Sequence, residues 1–196
     1  VIKLEKEKKH WVCHTENQNT YLARNIILTA PLPQALKLLQ TSSLSYPEKL
    51  DSLSYHQSVL SLFTLKESLS KEIFSPEILK NSLFESFVSM KDRGLHPQGY
   101  VAKVKNSCVQ KYFENPQLEI QLKKSLSSLL SKISDRDDLI NHHEVKKWRF
   151  AIPQNSLQNE DFLELSSGLF LIGDSFQFPD ARGAMKSAFS LHHFLG

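Results

Sequence analysis

The stretch Leu169–Ala188, LFLIGDSFQFPDARGAMKSA, decides how this chain folds. Its first four residues are apolar without interruption, which is typical of a short strand that is buried on both faces. Gly173 and Asp174 end that strand, and a helix is expected to follow. Strand and helix in this order place the carboxylate of Asp174 at the carboxyl edge of a sheet, where open α/β folds bind ligands.

The residues after the strand suit a ligand that carries negative charge. Gly183 lets the backbone approach a ligand closely, and the unpaired N–H groups at a helix start favour an anion by about 0.3–1 kcal/mol per charge. In the alternative interpretation, Asp174 only caps or turns the chain. The spacing of Gly168–Ser175 also matches a phosphate-binding P-loop, but Asp174 stands where lysine is required, so this motif does not bind a nucleoside triphosphate.

Strands are expected near both ends of the chain, and a helix is expected to follow the strands at each end. The apolar run Asn25–Ala30 predicts a strand buried on both faces, which Pro31 and Pro33 end before a helix begins. A final helix is predicted over 184–195. One side of it carries Met185, Ala188, Phe189, His192 and Leu195.

The middle of the chain is rich in Ser, Lys and Leu. Alternating apolar residues predict strands over 58–65, 83–90, 100–104 and 144–152, and a weak helix over 77–83. One apolar stripe predicts a longer helix over Leu118–Ile133. With parallel strands at both ends and an antiparallel insert between them, the fold class is α+β.

Composition excludes several classes of protein. The chain has 196 residues, of which 40% are hydrophobic, and a net charge of +3. Those values exclude a disordered chain and a coiled coil, and the charge is too small for a nucleic-acid partner. Cys13 and Cys108 read as reduced thiols, and no run of residues has the length of a membrane span. We expect a cytoplasmic protein with neither a nucleic-acid nor a membrane partner.

Histidine pairs do not predict a metal site. His142-His143 and His192-His193 are adjacent residues, whose side chains point in different directions, and no further ligand stands at a spacing such as HExxH. We therefore expect no bound metal. The six glycines are also never separated by a single residue, so a GxGxxG dinucleotide fingerprint is excluded from these 196 residues.

Several segments together resemble one family. Ala23–Ala35 resembles its strand-and-proline motif, His143–Pro153 its His…Trp-Arg-Tyr-Ala-x-Pro segment, and Leu169–Ala188 its closing flavin motif. Leu83–Lys103, with the central Gly94-Leu95-His96-Pro97, is similar to its substrate-domain strand pair. Their order and spacing agree over nearly the whole chain. The family is the FAD-dependent amine oxidases, and the resemblance is to their renalase-like branch.

The resemblance implies a fold and a division into domains. It implies an α+β fold with a mainly antiparallel substrate-domain sheet covered by helices, flanked by partial FAD-binding (Rossmann-type) elements. The expected domains are 1–38 for a first part of the FAD-binding domain, 39–148 for the substrate-binding domain, and 149–196 for the return to the FAD-binding domain.

The resemblance also implies an activity and a site. The family transfers a hydride from a reduced nitrogenous small molecule, an amine or a dihydronicotinamide, to FAD, and oxygen usually reoxidises the flavin. On the matching positions, Gly173 and Asp174 contact the ribityl–pyrophosphate region of FAD, and Gly183 and Ala184 lie by the flavin ring. Trp148 and Phe150 wall the substrate side. No catalytic residue is assigned.

Three departures from the family pattern qualify these expectations. Arg182 replaces an acidic residue, and it either stabilises an anionic reduced flavin or faces solvent; Ala188 replaces a glycine. The chain starts at Val1 without the fingerprint, so we expect that an N-terminal FAD-binding segment is missing and would be a partner. The alternative function is a non-catalytic binding or interaction module that keeps the substrate-domain fold without stable FAD binding.

Overall fold

A computed structural model describes residues 1–67, 75–95, 98–132 and 138–196. The predicted positions His96, Pro97 and Ile133 lie outside these residues. The described residues form strands and helices in the following order: β1 (Lys3–Glu7), β2 (His10–His14), β3 (Thr20–Ala23), β4 (Ile26–Leu28), α1 (Leu32–Thr41), β5 (Tyr55–Leu65), α2 (Pro76–Leu79), β6 (Phe84–Ser89), β7 (Gly99–Val104), α3 (Asn106–Tyr112), α4 (Leu118–Leu130), β8 (Ile140–Pro153), β9 (Leu163–Ser166), β10 (Leu169–Leu171) and α5 (Ala181–Leu195).

The chain divides into two compact units, and the fold is α+β. The first unit comprises Val1–His56 and Phe150–Gly196, and the second unit comprises Gln57–Arg149. The expected division at residue 38 differs from this one because the side chains of Leu39 and Leu50 are buried in the core of the first unit.

The first unit contains two three-stranded sheets. One has the order β1-β2-β3 with antiparallel pairs. The other has the order β4-β10-β9, in which β10 is parallel to β4 and antiparallel to β9. The predicted parallel pairing of strands from the two ends of the chain is therefore present. Trp11, Leu39 and Phe176 are among the fully buried side chains of this unit.

Strand β4 departs from its prediction. Asn25–Ala30 was expected to be buried on both faces, but Ile27 is 44% exposed, whereas Leu28 is buried. The strand lies at the edge of its sheet among the described residues, and only one of its faces meets the core. An uninterrupted apolar run therefore does not distinguish an edge strand from a central one.

Helix α5 begins three residues earlier than predicted and buries an unexpected side. Its buried residues are Gly183, Ser187 and Leu191, which recur every four residues and form a narrow stripe. Met185 and Phe189, on the apolar side identified from the sequence, are each 61% exposed. The helix therefore buries the side that carries Gly183, Ser187 and Leu191, and it exposes the apolar side that carries Met185 and Phe189.

The second unit is built on a four-stranded sheet with the order β6-β7-β5-β8. Strand β7 is antiparallel to both β5 and β6. Alternate side chains of β5 are buried against α3 and α4, as the period of a strand requires. The predicted leucine stripe of α4 is confirmed, because all of its described members are buried: Leu118, Leu122, Leu126, Leu129 and Leu130.

Two helices of this unit differ from the prediction. Helix α2 ends at Leu79 rather than at residue 83, and the ammonium of Lys105 donates to the carbonyls of Leu79, Lys80 and Ser82 where it ends. A cation at the last carbonyls of a helix stabilises that end. Helix α3 was not predicted, since only Cys108 and Val109 of its residues are buried.

Candidate functional site

The carboxyl end of β10 leaves the backbone of Gly173 open. Its φ of 153° lies in a region that side-chain-bearing residues rarely adopt, and an added Cβ would meet nothing within 4 Å. The Gly173 N–H donates to Ser187 Oγ of α5 at 3.3 Å. The turn is therefore tied to the helix while space remains beside its backbone.

Asp174 follows directly and is held by a tyrosine that the sequence interpretation missed. The hydroxyl of Tyr55 donates to Asp174 Oδ1 at 2.9 Å. The same hydroxyl oxygen lies 2.5 Å from Ser175 Oγ and accepts from the Leu32 N–H at 3.3 Å. These bonds orient the carboxylate at the end of the parallel pair. Tyr55 stands at the start of β5, far from Asp174 in sequence, and no motif marks it.

The tyrosine acts as a donor because it stays protonated. Burial, together with the neighbouring charge of Asp174, raises the pKa of Tyr55 to about 12, in spite of the opposing hydrogen bonds from Ser175 and Leu32. Tyr55 therefore stays protonated and donates to Asp174 over the physiological pH range, so it does not serve as a base there.

Phe150 reaches the same site through Tyr55. The two rings lie edge to face, with centroids 6.0 Å apart and an interplanar angle of 78°. The structure thus brings Phe150, Tyr55, Asp174 and Ser175 together. A small cavity is lined by this tyrosine, by Ala30 and Leu32, and by the backbone of 171–176.

At the start of α5 the chain supplies its own negative charge. Asp180 caps the helix by accepting from the Arg182 N–H at 2.8 Å, and the guanidinium of Arg182 pairs with the same carboxylate at 2.6 Å. Hydrogen bonds from Arg182 hold the pKa of Asp180 below its ordinary value. Arg182 is also stacked over the Phe178 ring at 5.1 Å and is well exposed. Contact of Arg182 with a flavin stays a prediction.

Gly183 is a glycine because of packing within the chain. A Cβ at this position would lie 2.1 Å from the Phe178 carbonyl oxygen and 2.4 Å from that of Phe176. The sequence interpretation attributed this glycine to the close approach of a ligand. Its vacant side instead meets the chain's own backbone, and Ala184 follows it half-buried. Contact of Gly183 and Ala184 with a cofactor remains a prediction.

Trp148 belongs to the second unit and lies on the sheet face that the helices leave uncovered. Its neighbours Lys147 and Arg149 both contact Phe113 of the helix layer. The ammonium of Lys147 donates to the Phe113 carbonyl, and the guanidinium of Arg149 stacks over the Phe113 ring. Because side chains alternate along a strand, Trp148 points to the opposite face, where it is 49% exposed. Leu62 and Val101, directly paired across β5 and β7, are half-buried on strand positions that alternate with the buried core.

Neither metal ligands nor a membrane helix is found where the structure describes the chain. No three histidine, cysteine or carboxylate side chains of residues 1–67, 75–95, 98–132 and 138–196 are grouped to hold an ion. No helix within those ranges combines the length and the apolar character that crossing a bilayer requires.

Comparison with known proteins identifies the fold. No protein-family model and no curated protein matches the sequence. Solved structures do match. A protein from an Exiguobacterium species, assigned as a protoporphyrinogen oxidase, is 14% identical with a TM-score of 0.66, and the match covers 98% of this chain and 45% of that one.

Two further matches come from proteins with different activities. Cyclohexylamine oxidase from Brevibacterium oxydans is 9% identical with a TM-score of 0.58, over 99% of this chain and 48% of that one. A fatty acid isomerase from P. acnes that produces CLA is 13% identical with a TM-score of 0.59, over 98% of this chain and 47% of that one. At such identities the likeness shows the fold alone. The chain spans less than half the length of these proteins.

Proposed function

We propose that this chain is the part of an FAD-dependent oxidoreductase of the amine-oxidase type that contacts the flavin half of the cofactor and faces the substrate. When bound, FAD supplies a hydride acceptor. The observation that carries the proposal is the end of β10, where the open backbone of Gly173 adjoins the fixed carboxylate of Asp174. The oxidases that share the fold support the class.

Gly173 and Asp174 fit a cofactor that bears hydroxyl groups. The recorded bonds to the Asp174 carboxylate from the described residues use Oδ1, so Oδ2 is the atom that accepts from a cofactor hydroxyl. Tyr55 keeps the carboxylate in place, and the absence of a side chain at Gly173 admits the ligand beside the backbone. Arg182, Gly183 and Ala184 are proposed as further contacts on the flavin side.

Trp148 is proposed as a substrate-side residue of the second unit, on its uncovered sheet face, and Phe150 is proposed as one of the first unit, beside Tyr55. These surfaces are apolar or aromatic, and they suit a small reduced nitrogenous molecule, an amine or a dihydronicotinamide. The finer proposal, a renalase-like activity, depends on the resemblance of His143–Pro153 and Leu169–Ala188 to that branch. We also propose that the chain acts together with a further FAD-binding segment and that it is cytoplasmic.

One observation favours a second candidate function, a binding module without stable FAD. The start of α5, which was expected to attract an anion, already holds the carboxylate of Asp180. That bond uses the Arg182 N–H, one of the unpaired donors at the helix start that a ligand anion would otherwise take.

The test is FAD binding by the protein expressed from its entire coding sequence. We expect bound flavin, visible in the absorption spectrum, and an affinity for added FAD that falls at least tenfold in Asp174→Asn and in Gly173→Val. Asp174→Asn retains the acceptor for Tyr55, so the loss reports the carboxylate and not a collapsed turn. Glu48→Gln removes an exposed charge elsewhere in the first unit and serves as the matched control.

Two outcomes contradict the proposal. If the wild-type protein neither contains flavin nor takes up added FAD, the binding module is the correct function. If Asp174→Asn and Gly173→Val bind FAD as the wild type does, the cofactor site is not at the end of β10. For the substrate side, Trp148→Ala is expected to raise KM for the oxidised amine or dihydronicotinamide while the affinity for FAD stays unchanged.

A further inference from the structure

The hydroxyl group of Tyr55 uses its whole hydrogen-bonding capacity inside the chain. A hydroxyl has one proton to donate and two lone pairs that accept. Its proton goes to Asp174 Oδ1 at 2.9 Å, so the hydroxyl oxygen accepts from Ser175 Oγ at 2.5 Å and from the Leu32 N–H at 3.3 Å. Both lone pairs and the proton are therefore occupied, and Tyr55 can affect a ligand only through its neighbours.

The space around this hydroxyl is closed to a cofactor. The cavity that Tyr55 lines with Leu32 and the backbone of 171–176 has a volume of about 10 Å³, which holds at most one water molecule. Ser175, which follows Asp174, is buried. The recorded bonds to the Asp174 carboxylate from the described residues all end on Oδ1, so Oδ2 is the oxygen left for a ligand.

The start of α1 makes Tyr55 a stronger donor. Pro31 precedes the helix, and among the described residues no side chain of its own caps it. The Leu32 N–H, one of the orphan donors of the first turn, is bonded to Tyr55 instead. The positive end of the helix dipole thus lies against the hydroxyl oxygen. A hydroxyl that accepts hydrogen bonds is polarised, and this strengthens the bond that it donates to Asp174.

Phe150 holds the ring that carries this hydroxyl. The two rings are edge to face, with centroids 6.0 Å apart and planes at 78°. Contacts of this kind have a preferred geometry, so Phe150 restricts the orientation of the Tyr55 ring. Phe150 therefore acts on Asp174 through Tyr55, in addition to the substrate-side role proposed for it above.

We propose that Tyr55 is a positioning residue for FAD: it holds Oδ1 of Asp174 so that Oδ2 accepts from a hydroxyl group of the ribityl chain, and it does not touch the cofactor itself. A carboxylate that is free to rotate must be ordered when the ligand binds, and this ordering lowers the affinity. Because Tyr55 donates to it, Asp174 acts as an acceptor and selects a hydroxyl rather than a phosphate oxygen. The inference rests on the FAD site proposed above and names the residue that fixes its geometry.

The first measurement needs no flavin and uses Tyr55→Phe in the protein expressed from its entire coding sequence. This variant keeps the aromatic ring and loses only the hydroxyl. Hydrogen exchange of the Leu32 amide, followed by NMR, should become about tenfold faster, because the amide loses its acceptor. Tyr46→Phe is the matched control. It removes a hydroxyl of the same unit that is bonded to Gln40 and Asp51, and it should leave the Leu32 amide unchanged.

The second measurement compares two ligands, FAD and an FAD analogue in which hydrogen atoms replace the ribityl hydroxyls. Tyr55→Phe should bind FAD about fivefold more weakly than the wild type does. It should bind the analogue as the wild type does, because the analogue offers Oδ2 nothing to accept. Phe150→Leu should lose less affinity for FAD, and the double variant should lose no more than Tyr55→Phe alone, since Phe150 acts through the tyrosine. Tyr46→Phe should bind both ligands normally.

Three results would overturn the proposal, and they are distinguishable. Equal losses of affinity for FAD and for the analogue in Tyr55→Phe would show that the tyrosine only supports the fold. An unchanged Leu32 amide together with unchanged FAD affinity would show that the hydroxyl orients nothing. A wild-type protein that binds no FAD would refute the proposed function, and the positioning role with it, before any variant is compared.

Discussion

The two units treat their apolar side chains in opposite ways. In the second unit, helices α3 and α4 cover one face of a four-stranded sheet, and their buried residues belong to one cluster that also contains Val59 and Phe63 of β5. In the first unit, the sheet of β4, β10 and β9 has strands of three or four residues, and α5 exposes Met185 and Phe189. The second unit is thus a closed layer of helix on sheet, whereas the first unit leaves part of its own layer uncovered.

This difference predicts which substitutions reduce stability strongly and where a binding surface lies. A closed core is sensitive to any lost volume, because its packing is complete. Shortening an exposed apolar side chain on a surface helix costs little free energy of unfolding in the isolated chain. The same change costs much more when a partner covers that side chain. The following changes test this contrast, in decreasing order of the expected effect.

Phe84→Ala should have the largest effect. Phe84 is fully buried in the second unit, with its ring 5.2 Å from that of Phe87. The cavity should cost about 3–5 kcal/mol of the free energy of unfolding. Met185→Ala in the first unit should change it by less than about 0.5 kcal/mol in the isolated chain. Urea denaturation followed by circular dichroism measures both; equal losses would remove the contrast between the units.

Gly183→Ala should destabilise the first unit more than Gly173→Ala does. The Cβ at position 183 meets two carbonyl oxygens, and overpacking of this kind costs about 3 kcal/mol. At position 173 the space is open and only the backbone angle is strained, which costs about 1 kcal/mol. Thermal unfolding measures the loss of stability in each variant, and hydrogen exchange of the α5 amides shows whether this helix is the region that is destabilised. A Gly183→Ala variant as stable as the wild type would contradict the close approach of α5 to residues 176–178.

Ser61 and His143 should make the second unit sensitive to acid. Ser61 Oγ lies 2.8 Å from His143 Nε2, and His143 Nδ1 is buried without a partner among the residues described. Burial is the main cause that lowers the pKa of His143; the charges of Lys123 and His142 act in the same direction and Glu119 opposes them. The lowered pKa favours the folded state above about pH 6.5, and this contribution is lost as the pH falls through the folded value.

His143→Gln should abolish that loss between pH 7 and 5, as measured by the urea midpoint at each pH. Ser61→Ala keeps the histidine but removes its partner, so it should cost about 1–2 kcal/mol at pH 7 and retain the acid sensitivity. A His143→Gln variant with the same pH profile as the wild type would show that another group is responsible.

Asp180→Ala should cost about 1 kcal/mol, less than the loss of the Phe84 ring, since it affects only the start of α5. The cap to the Arg182 N–H is lost, and with it the ion pair. Asp180→Asn keeps the cap acceptor and removes the charge, so its melting temperature should lie between those of Asp180→Ala and the wild type. Because the pKa of Asp180 is lowered in the folded state, the wild-type advantage over Asp180→Asn is present above about pH 4 and disappears as the pH falls further.

Periodicity in the sequence was a reliable guide where one face of an element is buried. The α4 stripe from Leu118 to Leu130 and the strand at 169–171 were read correctly, since each pattern reports a single contact with a core. Strand β9 was missed although Leu163 and Leu165 alternate with polar residues, and that alternation was the signal available. Helix α3 has no comparable pattern, so its existence depends on tertiary packing.

The sequence by itself determined the strand–turn–helix around Gly173 and Asp174, the α+β class and the apolar stripe of α5, because spacing along one segment carries each of them. Only the tertiary structure decided that Tyr55 orients Asp174, that Gly183 makes room for carbonyl oxygens of residues 176–178, and that Met185 and Phe189 of α5 are exposed. These facts join residues distant in sequence or compare two sides of one helix. A pattern shows that a side is apolar, and only the packed chain shows whether that side is covered.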